Sequence, residues 1–316
     1  MKPYRFGAMT CWANIPPKNW IKNVQHIEEL GYSTVFVADH FGTKDYDPIV
    51  LLSSAASVTK RLNVGTLVFD VDYRHPVILA KTAAALHLLS GGRFEFGIGA
   101  GWSVRDYQMS GIPLEKPITR IKRLDEALTI IRSMWTQEKT TFEGKHYHVM
   151  DMVKAGELLE GEYPKIIVGG GGNRLLSVAG RHADIVCIHF QDHGGKFSGD
   201  NITETTLSRV KERIGWVEES VREARRDLDG IEYQMLFPWA QITDDPEPVF
   251  EGIAKSFGVS VDAVMECPQW LIGSSEDVVD KIKMIREETG ITYMVFAPRD
   301  VESFDKFAYE VMKQLT

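Results

Sequence analysis

Cysteine is scarce and scattered: Cys11, Cys187 and Cys267 form no CxxC pair. That excludes a disulfide framework and a cysteine zinc site, and it points to reduced thiols in a cytoplasmic setting. Each thiol is expected as a small buried hydrophobe rather than a nucleophile. Positive charge is also short, with 36 Lys and Arg against 44 Asp and Glu and a formal net charge of −8. Nucleic acid and anionic membranes need a basic face, so neither is an expected partner. No run approaches the roughly 20 apolar residues of a membrane span. Met1–Thr10 likewise lacks the apolar core of a secretory leader. No G-x-S-x-G elbow and no phosphate-loop lysine motif is present.

What is there is an alternation. Short β-rich runs at Arg5–Met9, Thr34–Ala38, Asn63–Phe69, Phe94–Ala100, Lys165–Gly169, Asp184–His189, Tyr233–Ile242 and Thr292–Ala297 are near-continuous in apolar residues. Such runs suit parallel strands covered on both faces. Between them lie helical stretches with their own punctuation. Ile121, Leu124, Leu128, Ile131 and Trp135 form one apolar stripe. Asp47 before Pro48 is an N-cap followed by a first-turn proline, and His75 before Pro76 is a poorer version. Ser274 with Asp277 has capping-box spacing. Gly31 and Gly290 stand where left-handed residues end helices. Eight strand–helix units imply a closed (β/α)₈ barrel, one TIM-barrel domain over 1–316, and an open doubly wound sheet is the alternative. Insertions are expected after strand 4, with a hairpin pairing Thr140–Phe142 and His146–Val149, and after strand 6, where the glycine-rich Gln191–Thr206 reads as a loop or lid.

In such a barrel, chemistry sits at the C-terminal strand ends. Asp39-His40 follows strand 2, and Asp70, Asp72, Tyr73 and Arg74 follow strand 3. His40 reads as a proton donor or acceptor near neutral pH, or else as a satisfied structural histidine. After strand 5, Gly169-Gly170-Gly171-Gly172-Asn173-Arg174 leads into a helix. Converging N–H groups and the helix N-terminus would seat a phosphate; a bare flexible turn is the other reading. Gly97-Ile-Gly-Ala-Gly-Trp102 fails the dinucleotide fingerprint, because Trp102 stands where the third glycine belongs. Gly99, Ala100 and Gly101 instead leave room for a flat ring walled by Trp102, or for close packing within the barrel. His146 and His148 have no third ligand, so no metal site is expected. Met9-Thr10-Cys11-Trp12 carries no H-x-H of the kind metal-dependent barrel hydrolases use.

Taken in order, Leu89-Ser-Gly-Gly-Arg-Phe-Glu-Phe-Gly-Ile-Gly-Ala-Gly-Trp102, Arg120–Trp135, Phe142-Glu-Gly-Lys-His-Tyr147, Pro164-Lys-Ile-Ile-Val-Gly-Gly-Gly-Gly172 and Arg181-His-Ala-Asp184 resemble the bacterial-luciferase-like oxidoreductases. Within them the chain leans toward the branch that uses the deazaflavin coenzyme F420. The resemblance implies F420, or alternatively FMN, across the barrel mouth, its phosphate on Gly169, Gly170, Gly171, Gly172 and Asn173. It implies a non-prolyl cis peptide at Thr66-Leu67 against the ring, a ring contact from Asp39, and catalysis by His40. It also implies a homodimer, a small-molecule substrate and, for an FMN monooxygenase, a partner reductase. Two departures count against sugar-phosphate or alcohol oxidation. Phe41, Gly42, Thr43 and Lys44 lack the tryptophan such dehydrogenases carry after the histidine, and Trp102 replaces their glutamate. The expected reaction is hydride transfer between F420 and a different organic substrate. A two-component FMN monooxygenase and a non-catalytic flavin-binding protein are the competing readings.

Overall fold

The computed structural model describes residues 2–10, 17–42, 46–156, 162–191, 195–298 and 300–315. Cys11, Thr43 and Lys44 lie outside them. Eight parallel strands close into a barrel: β1 (Arg5–Met9), β2 (Thr34–Val37), β3 (Asn63–Thr66), β4 (Phe94–Gly99), β5 (Lys165–Gly170), β6 (Ile185–Ile188), β7 (Glu232–Phe237) and β8 (Tyr293–Phe296). Each pairs with its sequence neighbours, and β8 returns to β1 with Arg5 opposite Tyr293 and Ala8 opposite Phe296. The open-sheet alternative is thereby excluded. The helices following the strands are α1 (Trp20–Glu29), α2 (Pro48–Val58), α3 (Pro76–Leu89), α4 (Pro117–Thr136), α5 (Asn173–His182), α6 (Leu207–Glu223), α7 (Ser275–Thr289) and α8 (Glu302–Phe307).

The local signals act as their chemistry requires. Asp47 accepts from the N–H groups of Ile49 and Val50, and Ser274 and Asp277 complete a reciprocal capping box. Gly31 and Gly290 take φ of 88° and 72°, a region that costs a side-chain-bearing residue energy. The outward strand residues join the helices in one core, while Met9, Phe36, Ile167, Leu236, Tyr293 and Val295 fill the barrel interior. The floor is polar. Arg5 pairs with Glu95 and, at 2.6 Å, with Glu232, while the Tyr293 hydroxyl donates to Glu95 at 2.8 Å.

Three sequence expectations shift. The run Asn63–Phe69 is not one strand: β3 ends at Thr66, the Leu67–Val68 peptide is cis, and pairing resumes at Phe69–Asp70. The cis bond therefore lies one residue beyond the expected Thr66-Leu67. The run Tyr233–Ile242 breaks at Pro238, which has no N–H to continue a ladder. Trp239–Ile242 leaves the barrel and pairs with Trp270–Gly273. This creates an insertion after β7, with helices Glu247–Phe257 and Val261–Glu266, that the sequence reading did not anticipate. The expected hairpin is longer than read: Lys139–Glu143 pairs antiparallel with His148–Val153. In the segment after β6, Gly199–Thr203 is a short helix. Phe190 and Ile202 pack there with Phe250 and Trp270 of the β7 insertion. No helix among the described residues is long and apolar enough to cross a membrane.

Candidate active site

A cavity of about 800 Å³ opens at the C-terminal ends of the strands, within the size range of small-molecule and cofactor sites. The structure brings Asp39, His40, Leu67, Ala100, Gly101, Trp102, Gly169, Gly170, Gly171, Gly172 and Asn173 into its lining. Thr66 is not there. Its side chain is fully buried between β3 and β4, donating to the Gly97 carbonyl at 2.8 Å and accepting from the Gly97 N–H at 3.0 Å. Thr66 holds the wall, and Val68, on the other side of the cis bond, takes the lining position.

The small residues of β4 serve that wall. A Cβ on Gly99 would sit 2.8 Å from the Val68 side chain, so the residue is bare to admit the bulge of the third strand. Gly101, at φ 70°, would drive a Cβ into the Asp70 carboxylate and the Tyr107 hydroxyl. Close packing explains both glycines, and Gly99, Ala100 and Gly101 still line the cavity, where a ring could lie against them. The buried Arg120 donates to the carbonyls of Ala100 (2.9 Å) and Gly101 and clamps this turn from α4.

The glycine loop after β5 divides likewise. A Cβ on Gly171 would collide with the backbone of His189 through Gln191, whereas one on Gly172 meets open space. Gly172 is the N-cap of α5, and no side chain caps that helix or places acid in its first turn. Its first-turn N–H groups meet no side-chain cap among the described residues, and with the helix's partial positive charge they could seat an anion. Arg174, one residue into the helix, also lines the cavity.

His40 is oriented by a residue that sequence reading missed. Its Nδ1 donates to Asp106 Oδ2 at 2.6 Å, and the other Asp106 oxygen accepts from the Gly42 N–H at 2.5 Å. Asp106 is buried on the short helix Val104–Ser110. With Nδ1 donating, Nε2 is the nitrogen left to take up or release a proton. Trp102, 43% exposed, stands edge-on to His40 with ring centres 5.8 Å apart. Asp39 is tied by Arg74, which also reaches Asp47 at 2.9 Å. Burial nevertheless pushes the Asp39 carboxyl above its usual range, outweighing the Arg74 charge.

Deeper in the same cavity, Asp70 is buried and its carboxyl is pushed up to about 7 by burial, with the neighbouring Asp72 charge adding to it. The Tyr107 hydroxyl lies 2.9 Å from Asp70 Oδ2 and 2.8 Å from Asp72 Oδ2. Opposite, His189 is held at about 4 by burial and stays neutral at physiological pH. Its Nδ1 accepts from Gln269 Nε2 at 3.0 Å, so the ring carries its proton on Nε2. The rest of the lining toward the β7 insertion is aromatic: Phe190, Phe197, Trp239, Phe257 and Trp270. Cys187 also lines the cavity, but burial drives its thiol up to about 12, so it is no nucleophile at neutral pH. Among the described residues no cluster of His, Cys, Asp or Glu is arranged to hold a metal ion.

A family model described as luciferase-like monooxygenase matches residues 2–293. An F420-dependent glucose-6-phosphate dehydrogenase of Intrasporangium calvum is 30% identical, covering 95% of this chain and 95% of its own. An F420-dependent secondary alcohol dehydrogenase, solved in complex with an F420-acetone adduct, superposes with a TM-score of 0.81 at 19% identity over 100% of this chain and 98% of its own. The EDTA monooxygenase of Chelativorans sp. BNC1 superposes at 0.79 with 14% identity, over 99% and 94%. At such identities the two structures establish the fold alone.

Proposed function

The chain belongs to the luciferase-like monooxygenase family, and from that premise we propose that it is an F420-dependent oxidoreductase moving a hydride between the deazaflavin and a small organic substrate. One observation carries the reading. A histidine oriented through Nδ1 shares a cavity with a helix N-terminus that no side chain caps and whose N-cap residue, Gly172, has open space around it. The 30%-identical relative, whose name specifies F420, supports the choice of cofactor.

The residues fit such a group. Gly172 and the first N–H groups of α5 would hold its phosphate, with Arg174 adjacent, and the Leu67–Val68 bulge would back its ring. When bound, F420 supplies the hydride at C5; the chain's part is to position, shield and handle protons. Asp106 fixes the His40 tautomer so that Nε2 gives or takes the proton that accompanies hydride transfer. Trp102 and the aromatic wall exclude water from the reacting face.

The lining also bears on the substrate. Its cations are Arg120, Arg174 and Lys196. Arg120 is committed to main-chain carbonyls, and Arg174 belongs to the phosphate seat. A sugar phosphate would need a second anion site, for which Lys196 alone remains among the described residues. Five aromatic side chains favour a flat, largely apolar substrate with a reducible carbon–carbon or imine bond.

A paired fluorescence titration of the apoprotein with F420 and with FMN tests the proposal. Micromolar or tighter F420 binding with weak FMN binding supports it. The reverse preference, with oxygen uptake on adding reduced FMN, replaces it with the monooxygenase reading.

A homodimer is part of the same proposal. Helix α2 carries no charged residue, and Val50 and Ile78 of α2 and α3 are 66% and 57% exposed. Helices this apolar are ordinarily covered. Sedimentation velocity of the wild type and of Ile78→Asp reads the expected shift from two copies to one.

A further inference from the structure

Tyr107 stands between two carboxylates, and its phenol carries one proton. Its oxygen lies within hydrogen-bonding distance of both Asp70 Oδ2 (2.9 Å) and Asp72 Oδ2 (2.8 Å). Asp70 Oδ1 lies 3.2 Å from the same oxygen; one O–H makes one full-strength hydrogen bond, so a full bond to each carboxyl needs a second proton. The phenol cannot be the ion, because burial and both carboxylates drive its ionisation far above the usual range. One carboxyl must therefore carry the second proton.

The surroundings decide which. Asp72, 2% exposed in its side chain, is paired with the Arg123 guanidinium of α4. Asp70 has no such counter-charge. Its Oδ1 accepts from the Asp72 N–H at 2.9 Å. The groups facing Asp70 from the other elements are mostly acidic or phenolic. After β2, Asp39 accepts from the Asp70 N–H at 3.3 Å and takes up Arg74. After β3 comes Tyr73, whose hydroxyl is hydrogen-bonded to the Asp70 side chain, and from the helix Val104–Ser110 come Tyr107 and Asp106, the latter engaged with His40. Arg120 of α4 is spent on carbonyls. The backbone reinforces the placement, since Gly101 has no Cβ where Asp70 and Tyr107 meet.

We propose that Asp70 is a neutral, proton-bearing carboxyl facing the cavity, and that Asp70, Tyr107 and Asp72 form a second acid–base unit of this site besides His40. The upward displacement of the Asp70 carboxyl by burial agrees with this assignment. In the resting state Asp70 Oδ2–H donates to the Tyr107 oxygen, and Tyr107 O–H donates to Asp72. When Asp70 releases its proton to a basic atom of the substrate, its O–H bond breaks and the new bond to hydrogen forms there. The Tyr107 O–H then turns to the new carboxylate, while Asp72 keeps Arg123. The protein neither gains nor loses electrons. The protonation state does not depend on the cofactor; its catalytic use rests on the hydride-transfer reading.

Infrared spectra of the full-length protein across neutral pH test the first part. The expected result is the carbonyl band of a protonated carboxylic acid that titrates near neutrality, is missing in Asp70→Asn, and moves to a higher midpoint in Tyr107→Phe. A spectrum without such a band, or a band that survives Asp70→Asn, overturns the assignment. Turnover with reduced F420 tests the second part. Asp70→Asn should bind F420 as the wild type does but lose the pH-dependent limb near neutrality, whereas an unchanged profile refutes the catalytic use. Failure of the wild type itself to bind F420 would strike the cofactor reading alone, since the infrared result stands apart from it.

Discussion

His40 and Asp106, 66 positions apart, meet through a 2.6 Å hydrogen bond from Nδ1 to Oδ2. The pair joins the end of β2 to the short helix that follows β4, so the orientation of the histidine is set by tertiary structure. Replacing His40 with Ala should reduce turnover of reduced F420 about 10²-fold or more, the usual contribution of a placed general acid or base. Asp106→Asn should lose less and mostly in kcat, because the ring remains but its tautomer is no longer enforced. Steady-state kinetics on both variants, with F420 binding followed by fluorescence, separate this from a binding defect. Equal activity in all three proteins would remove His40 from the chemistry.

The last two glycines of the β5 loop should behave oppositely. Gly172 adopts φ −91°, which any residue tolerates, and a Cβ there meets nothing. Gly172→Ala should therefore fold with an unchanged melting temperature, yet bind F420 about tenfold more weakly, a loss of about 1.4 kcal/mol from crowding the anion seat. Gly171→Ala should be destabilised, because its methyl meets the backbone of the chain after β6. Calorimetry and the F420 titration distinguish the two effects. Full-strength binding by Gly172→Ala would move the phosphate elsewhere.

Much of this barrel is written locally. The caps at Asp47 and Ser274 and the glycines at 31 and 290 are decided within a few residues, and the chain places them where short-range chemistry demands. The alternation of apolar strands and striped helices carries the rest of the fold. What escaped reading is tertiary. Ser103 and Asp106 have the spacing of a capping box, and Ser103 does accept from the Asp106 N–H at 3.3 Å. The acid itself turns instead to His40 and Gly42, and no local pattern announces that. The Asp70–Tyr107 contact spans 37 positions and is equally silent. Pro238 was a readable signal that the seventh strand ends there, outweighed by the apolar run around it.

The polar barrel floor yields a stability prediction. Glu95 is almost wholly buried and receives Arg5, the Tyr293 hydroxyl at 2.8 Å and Asn63 Nδ2 at 3.2 Å. Glu95→Ala removes the acceptor these donors share, although Arg5 retains Glu232 and the Tyr293 hydroxyl retains Thr34 at 2.6 Å. Breaking one partner of a buried pair costs about 3–5 kcal/mol, and the surviving partner places this case near the lower end. Urea unfolding should show the loss while F420 affinity stays unchanged, since the floor lies at the opposite end of the strands from the cavity.

The pH dependence of stability reports on Asp70. Its carboxyl is raised from the ordinary aspartate value of 3.8 to about 7 in the folded protein, chiefly by burial. Between those two values the folded state holds a proton that the unfolded chain has released. Stability from this group is therefore fully present below the lower value, falls as pH rises through the window, and levels off above about 7. The slope within the window is at most roughly 1.4 kcal/mol per pH unit. Asp70→Asn keeps the shape of the protonated acid, and its amide can donate to Tyr107 as the acid does, but it cannot ionise. The variant should match the wild type at and below about pH 3.8, become progressively more stable than it as pH rises through the window, and keep a constant margin above about 7. Thermal melts of the two proteins across this range check the divergence. Curves that stay parallel would mean that Asp70 ionises at the same pH folded and unfolded, and that the second proton at Tyr107 resides elsewhere.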